Sequence, residues 1–303
     1  MSDLRRIRCF IAVAEELHFG KAAARLHLSQ PPLSQHIKAL EAELGVQLLE
    51  RDRRSVRLTA AGQAYLQHAY LALQAVENAA SAARLAATGE YGELRIGHSP
   101  SALYVDKVLQ AVTLYRKLHP AVEIRLQEGT MRSCVADIEA GKLDTAFVRG
   151  PLPASPVSVV RWSKQRKRLI SREPLLLALP KSHALARHEA VALKDLQGER
   201  FVALARDMRA ALNEVIDGVL APLMQHSQQH PDVAVETRDM ATLLGLVSAG
   251  AGIALVPESV AQRSRYIVYR PLKGRATQVE LHQLLPQHAA PAALNLSALL
   301  NAA

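Results

Sequence analysis

The stretch from Ser29 to Lys38 combines hydrogen-bonding side chains with two adjacent prolines. Glutamine can pair with adenine through two hydrogen bonds, serine can donate or accept one, and lysine can contact guanine or phosphate. On the first turns of a helix, such a face suits the recognition of base edges in the major groove of DNA. The alternative is an ordinary solvated polar face on a helical core. The candidate residues are Ser29, Gln30, Pro31, Pro32, Ser34, Gln35 and Lys38.

Amphipathic segments are predicted to position these side chains. A first helix follows a cap at Ser2 or Asp3, and a shorter second helix follows an interruption at residues 18–20. Ser29 is the predicted N-cap of the third helix, whose first turn holds the prolines, where a missing backbone N–H costs little. Gly45 is predicted to end that helix. The apolar positions that define the helices are Leu4, Ile7, Ile11 and Ala14; Ala22, Ala23 and Leu26; and Leu33, Ile37, Leu40 and Leu44.

Two short apolar segments, residues 46–50 and 55–59, flank the basic sequence 51–54 and predict a β-hairpin. Arg53 and Arg54 at its tip are placed to reach phosphates or a minor groove. The alternative is a solvated charged turn. Because the hairpin would follow a helix-turn-helix, we favour a DNA-contacting wing. Residues 1–58 are therefore assigned to a winged helix-turn-helix domain.

A long alanine-rich helix is predicted over residues 59–89, with Thr59 as its cap. Apolar residues recur along it at alternating spacings of three and four, which is typical of a helix that pairs with another helix. Its alanines would allow close approach, and we assign this seam to dimerisation. The alternative is that the seam packs against its own domain. The seam residues are Leu66, Ala69, Leu73, Val76 and Ala80.

From residue 90 to residue 303, short apolar strands alternate with helical segments, which predicts an α/β fold. We expect two lobes. Lobe I comprises about residues 91–161 and 266–303, and lobe II comprises about residues 162–265. A chain that crosses twice between lobes forms a cleft, and clefts bind small molecules.

Composition places weaker limits on function. The 303 residues are 49% hydrophobic and 21% charged, as in globular proteins. The net charge of +9 suggests an anionic partner. Residues 1–58 hold ten Lys/Arg and seven Asp/Glu, a net of only +3, so charge alone supports DNA binding mildly. Two cysteines, no fitting signal peptide and no long apolar run favour a cytoplasmic location without membrane association.

The sequence from Phe19 to Arg51 resembles the signature of the LysR-type transcriptional regulators, and LTAAG at residues 58–62 matches the usual entry to their linker helix. The motifs LRIG, PSALY, EGT, GKLDTAFVR and GLVSAGAGIALVPES resemble their sensing domain, most closely in members that regulate aromatic-compound breakdown. The resemblance implies a periplasmic-binding-protein-like sensor and a homotetramer paired through linker helices and sensor domains. It also implies binding of promoter DNA, a small-molecule effector and contact with RNA polymerase.

The resemblance also implies which residues contact the effector. Ser101 would lie at a helix N-terminus, where free backbone N–H groups suit an anion. Arg149 would offer forked donors to a carboxylate. Two alternatives remain open, since Ser101 can simply cap its helix and Arg149 can simply pair with an acidic neighbour. The loop at residues 205–209 departs from the aromatic-catabolism members. The implied effector residues are Ser99, Ser101, Thr130, Arg149, Leu204 and Met240.

Other patterns do not assemble into a catalytic or metal site. Gly250 and Gly252 follow a helix and precede a strand, the reverse of a dinucleotide-binding order. His226 and His230 lack an evident third ligand and are interpreted as surface residues. The basic run at 161–172 is interpreted as a solvated face, with a second anion contact as the alternative. We expect no enzyme activity and no cofactor. The competing function is a periplasmic-type binding protein without regulatory DNA binding.

Overall fold

The N-terminal unit, Met1–Leu85, is built from helices around one apolar core. The computed structural model describes residues 3–52, 55–150, 167–205, 211–225, 232–263, 265–274 and 278–302. Helices α1 (Leu4–Glu16), α2 (Phe19–Arg25) and α3 (Gln30–Leu44) precede strands β1 (Leu49–Arg51) and β2 (Val56–Leu58), and α4 (Ala60–Thr88) follows. The core contains Phe10, Leu33, Ile37, Leu40 and Leu48.

Local capping explains where these helices begin and end. Asp3 accepts a hydrogen bond from the backbone N–H of Arg5 at 3.0 Å and caps α1. Nδ1 of His18 accepts from two backbone N–H groups and caps α2. Ser29 occupies the predicted N-cap position of α3, although its hydroxyl makes no capping hydrogen bond there. Gly45 ends α3 at a φ of 70°, a conformation that favours glycine.

The second unit, Ala86–Ala303, contains a mixed sheet with the strand order β10-β6-β11-β5-β3-β4, and β9 also pairs with β6. Strands β3 and β4, like β3 and β5, pair in parallel, whereas β6, β9, β10 and β11 pair antiparallel. Strands β7 and β8 form a separate parallel pair. The strands are β3 (Gly92–His98), β4 (Val122–Glu128), β5 (Thr145–Arg149), β6 (Lys167–Pro180), β7 (Arg200–Leu204), β8 (Asp232–Thr237), β9 (Ala254–Pro257), β10 (Ile267–Pro271) and β11 (Gln278–Leu284).

Helices cover this sheet and separate its apolar cores. The helices are α5 (Asp106–Leu118), α6 (Met131–Glu139), α7 (Ala211–Gln225), α8 (Met240–Ser248) and α9 (Pro291–Ala302). One core lies between the sheet, α5 and α9, and another contains residues of α8, β7 and β9. Within the described part of the chain, no helix has the length and apolar character needed to cross a bilayer.

The long strand β6 belongs to both lobes. Its first half, residues 167–174, pairs with β11 in lobe I, and its second half pairs with β9 and β10 in lobe II. This corrects one expectation, because Tyr266–Tyr269 was predicted to return to lobe I. Instead β10 pairs with Leu176–Pro180, and Ile267 lies in the lobe II core. The chain returns to lobe I at β11. The expectation for Tyr266–Tyr269 was wrong because apolar alternation identifies a strand but not its partner.

Candidate functional sites

Helix α3 presents the predicted DNA-contacting residues on one side. Leu33, Ile37 and Leu40 are fully buried, so the helix turns its remaining faces outward. The structure brings the predicted set together there, with Ser29, Gln30, Pro31, Gln35 and Lys38 exposed and Pro32 and Ser34 half-buried. Such an outward polar face can enter a major groove without disturbing the core.

The hairpin of residues 49–58, called the wing hairpin below, is held against α3 by Glu41. This carboxylate accepts hydrogen bonds from the backbone N–H groups of Leu48 and Leu49 at 3.0 and 3.1 Å. It also accepts from Nη2 of Arg51 at 2.8 Å. Sequence reasoning missed Glu41, because nothing in its local pattern distinguishes it from a solvated helix residue. Arg53 and Arg54, the predicted DNA contacts of the wing, lie outside the described residues.

The first half of α4 packs against its own domain. Ala69 is buried in the N-terminal core, and Leu66 and Leu73 pack against that core. The ring of Tyr65 meets Phe10 edge-on at 5.2 Å between centroids. These contacts agree with the alternative left open by the sequence for this half of the predicted seam. Val76 and Ala80, from its second half, are exposed.

Arg149, at the end of β5, has the most enclosed charged side chain among the described residues of the second unit, at only 1% exposed. Its Nε donates to the Ser101 hydroxyl at 2.7 Å, and its Nη2 donates to the Ser259 hydroxyl at 2.9 Å. Its Nη1 forms an ion pair with Oε1 of Glu173 at 2.6 Å. Burial lowers the pKa of Arg149, and the adjacent Glu173 carboxylate opposes that shift.

Glu173 and Ser259 connect the two lobes through Arg149. Oε2 of Glu173 accepts from the backbone N–H of Ser259 at 2.5 Å. Arg149 and Ser101 belong to lobe I, whereas Ser259 follows β9 of lobe II and Glu173 lies just before β6 changes lobe. Arg149 therefore pairs with an acidic neighbour, which was one of the alternatives left open by the sequence. Ser101 does not cap a helix with its hydroxyl, which Arg149 uses instead.

The other predicted effector residues have varied surroundings. The Ser99 hydroxyl is buried and makes no hydrogen bond with any described residue. The Thr130 hydroxyl caps α6 by accepting from a backbone N–H at 3.0 Å. Leu204 and Met240 are buried in the lobe II core. Among these four residues, Ser99 is the one whose side chain has a buried polar atom without a hydrogen-bond partner in the described part of the protein.

Two tyrosines missed by sequence reasoning lie near this boundary. Tyr104, from lobe I, and Tyr269, on β10, both pack against the lobe II core. The Tyr269 hydroxyl is buried without a hydrogen-bond partner among the described residues. Burial, with a smaller effect from Tyr104, raises the pKa of Tyr269 to about 12. Neither residue carries a local sequence signal, because each is an apolar-pattern position in its own segment.

The structure describes only part of the basic run at residues 161–172. In the basic run, Arg168 binds Ser297 and Asn301 of α9, and Arg172 pairs with Glu280 at 2.5 Å. Arg168 and Arg172 therefore bind other residues of the protein, so this part of the run is not simply solvated. The run's Arg161, Lys164 and Arg166, together with the loop at 206–210, lie outside the described residues.

The structure also bears on metal and thiol chemistry. His226 and His230 lie outside the described residues. The described residues contain no group of three His, Cys, Asp or Glu side chains that could hold a metal. Cys9 and Cys134 are buried free thiols.

Comparison with known proteins agrees with this two-part organisation. Residues 4–63 match the family model described as "Bacterial regulatory helix-turn-helix protein, lysR family", and residues 87–303 match "LysR substrate binding domain". The chain is 38% identical over 297 residues to the HTH-type transcriptional regulator YnfL of Escherichia coli (strain K12), covering 97% of this chain and 96% of the relative. It is 34% identical to the HTH-type transcriptional regulator ClcR of Pseudomonas putida, covering 86% and 85% of the two chains.

A solved structure extends the likeness to a DNA complex. Full-length CbnR complexed with its target DNA has a TM-score of 0.75 to this chain and 28% sequence identity, with 99% of each chain covered. The family models together account for the helix-turn-helix and for the lobed domain that follows it. The chain belongs to the LysR family of transcriptional regulators, with a DNA-binding helix-turn-helix domain followed by an effector-binding domain.

Proposed function

We propose that this regulator binds a partly palindromic promoter through the outward face of α3 and responds to a small organic or aromatic carboxylate. In this proposal it acts in the cytoplasm as a homotetramer, contacts RNA polymerase and carries out no enzymatic step. The observation that supports DNA recognition most directly is the exposed polar side of α3 above three fully buried residues, Leu33, Ile37 and Leu40. A solvated helix would not need to bring glutamine, serine and lysine together on its first turns.

The DNA site can be tested by fluorescence anisotropy with the chain's own upstream DNA. We expect a salt-sensitive specific complex, which Gln35→Ala weakens by about 1–3 kcal/mol while relaxing base preference at one position. Gln110→Ala is the matched control, because Gln110 is an exposed glutamine on α5 in the effector unit. If the wild type ignores its upstream DNA, the alternative of a binding protein without regulatory DNA binding would be favoured.

An anionic effector is supported by the polar atoms around Ser101. The buried Ser99 hydroxyl has no partner among the described residues, and Arg149 lies beside Ser101. A carboxylate that enters beside these groups would share Arg149 with Glu173, since the nitrogens Nε, Nη1 and Nη2 of Arg149 already contact protein oxygens. Thr130, Leu204 and Met240 complete the proposed site as flanking contacts.

A thermal-shift screen tests the effector class. Organic acids are compared with their carboxamides, which match them in size but lack the charge. A ligand that binds only the native state raises the melting temperature, so we expect acids to raise it and amides not to. Ser99→Ala should reduce the response. Equal shifts from acids and amides would contradict an anion site.

We also propose that two chains pair through α4, but through a different side of the helix from the predicted seam. Leu66, Ala69 and Leu73 are occupied by their own domain, whereas an exposed stripe of alanines follows on a neighbouring side of the helix. Leu71, which is 60% exposed, and Val76 flank that stripe. Small residues between larger apolar ones permit close approach of a second helix. The stripe comprises Ala72, Ala75 and Ala79, and Ala80 lies beside it.

A further inference from the structure

The start of α4 lies unusually close to the wing hairpin. The Thr59 hydroxyl donates to the Gln47 carbonyl at 2.8 Å, and the Thr59 N–H donates to the Leu48 carbonyl at 3.0 Å. A Cβ added to Gly62 would lie only 2.0 Å from the Leu48 oxygen and 3.0 Å from a Leu58 methyl carbon. A side chain fits there only if α4 shifts, because the obstacle is backbone rather than a flexible side chain. Gly62 therefore allows α4 to touch the backbone of Leu48, the residue before β1, whose N–H donates to Glu41 of α3.

Further contacts fix α4 along the next turns. Tyr65 packs edge-on against Phe10 of α1, and Ala69 is buried in the core. The Tyr70 hydroxyl donates to Glu15 at the end of α1, and Arg25 at the end of α2 binds the same carboxylate. The helix-turn-helix and this part of α4 therefore form one body, whose internal angle is set by contacts from Gly62 to Leu73.

We propose that Gly62 is a positioning residue for DNA recognition: its close approach to the Leu48 carbonyl, immediately before β1, sets the angle between α3 and α4, and thereby the half-site spacing that a paired regulator accepts. The inference rests on the proposed function, in which two copies pair through α4. It assigns to Gly62 no contact with DNA or effector.

The structure gives the size of the expected effect. Alanine at residue 62 must move its Cβ from 2.0 Å to about 3.2 Å from the Leu48 oxygen, a displacement of about 1.2 Å. With Ala69 as the pivot, about 10.5 Å along the helix, this is a tilt of about 6–7°. Leu85 lies about 24 Å beyond Ala69, so the tilt moves that end by about 2.7 Å relative to α3. Both α3 helices of a two-fold pair shift in this way, so their separation changes by up to about 5.4 Å, which is between one and two base-pair steps of about 3.4 Å.

The test uses the full chain and duplexes in which the two half-sites are separated by spacers that differ by one base pair. We expect Gly62→Ala to move the preferred spacing by about one to two base pairs while leaving base preference within each half-site unchanged. Gly245→Ala is the matched control, because Gly245 is a helical glycine in α8 with nothing within 4 Å of an added Cβ. An unchanged optimum in folded Gly62→Ala, judged by circular dichroism, would overturn the inference.

A second variant covers the case in which Gly62→Ala fails to fold. Tyr70→Phe removes only the hydroxyl that binds Glu15, on a side chain that is 44% exposed, so folding should persist. A looser joint should broaden the range of tolerated spacings around the same optimum. An unaltered range would overturn the inference. Absence of wild-type binding at every spacing would instead refute the DNA site itself.

Discussion

Replacing Glu173 by glutamine tests the buried contact between the lobes. The substitution keeps the side-chain shape but leaves the Arg149 guanidinium without its ion-pair partner at 2.6 Å. Removing one partner of a buried ion pair costs about 3–5 kcal/mol, because the remaining charge is uncompensated. Glutamine retains an oxygen that can accept from the Ser259 N–H, so we expect about 3 kcal/mol, the lower end. For a unit of this size, that loss corresponds to a fall in melting temperature of about 6–12 °C.

Thermal and urea unfolding, followed by circular dichroism, measure this loss. Glu123→Gln is the matched control, because Glu123 pairs with Arg125 at 3.1 Å while both side chains remain exposed. Exposed pairs contribute about 0–1 kcal/mol, so the control should lose little. A bound acid at a hundred times its Kd adds about 2.7 kcal/mol and should largely restore Glu173→Gln. If Glu173→Gln loses no more stability than Glu123→Gln, the buried ion pair does not hold the lobes as argued.

The remaining predictions concern pH, thiol reactivity and assembly. Burial and the nearby Lys167 lower the pKa of His282 to about 4, while the unfolded chain binds that proton near pH 6.5. The free energy of unfolding should therefore fall as pH drops from about 6.5 to about 4, by up to roughly 3 kcal/mol, and His282→Gln should flatten this dependence in urea titrations at each pH. Burial raises the pKa of Cys134 to about 11, so iodoacetamide at pH 8 should modify this thiol only after denaturant is added; rapid labelling of the native chain, read by mass spectrometry, would contradict this. Leu71→Glu should dissociate the assembly without loss of stability, whereas Leu73→Glu should destabilise the N-terminal unit; analytical ultracentrifugation and melting curves separate the two, and intact assembly in Leu71→Glu would exclude pairing through this side of α4.

The helices of the N-terminal unit could be predicted from sequence because their determinants are local. Apolar spacing, the caps at Asp3 and Thr59 and the glycine at residue 45 place α1, α3 and α4 close to their observed bounds. The polar face of α3 follows from the same periodicity, because the buried positions determine which residues remain outside.

Contacts between distant segments could not be predicted in this way. Glu173 and Ser259 are 86 residues apart in sequence, and Ser259 is 110 residues from Arg149. Each looks like an ordinary strand or turn residue until the lobes are assembled. The strand at Ile267–Pro271 was assigned to the wrong lobe for the same reason, since its partner residues on β6 lie 87 to 95 positions earlier. For the inward side of α4, the sequence left dimerisation and packing against its own domain both open, because spacing reveals a stripe but not what covers it.

The shared strand β6 limits how the two halves of the effector unit can move. Residues 167–174 are paired into one ladder and residues 175–180 into another, so sliding one half past the other would break backbone bonds on both sides. Twisting about the strand near Pro174 keeps both ladders intact. Effector-driven rearrangement should therefore be torsional, with the amides of this strand among the slowest in the unit to exchange with deuterium.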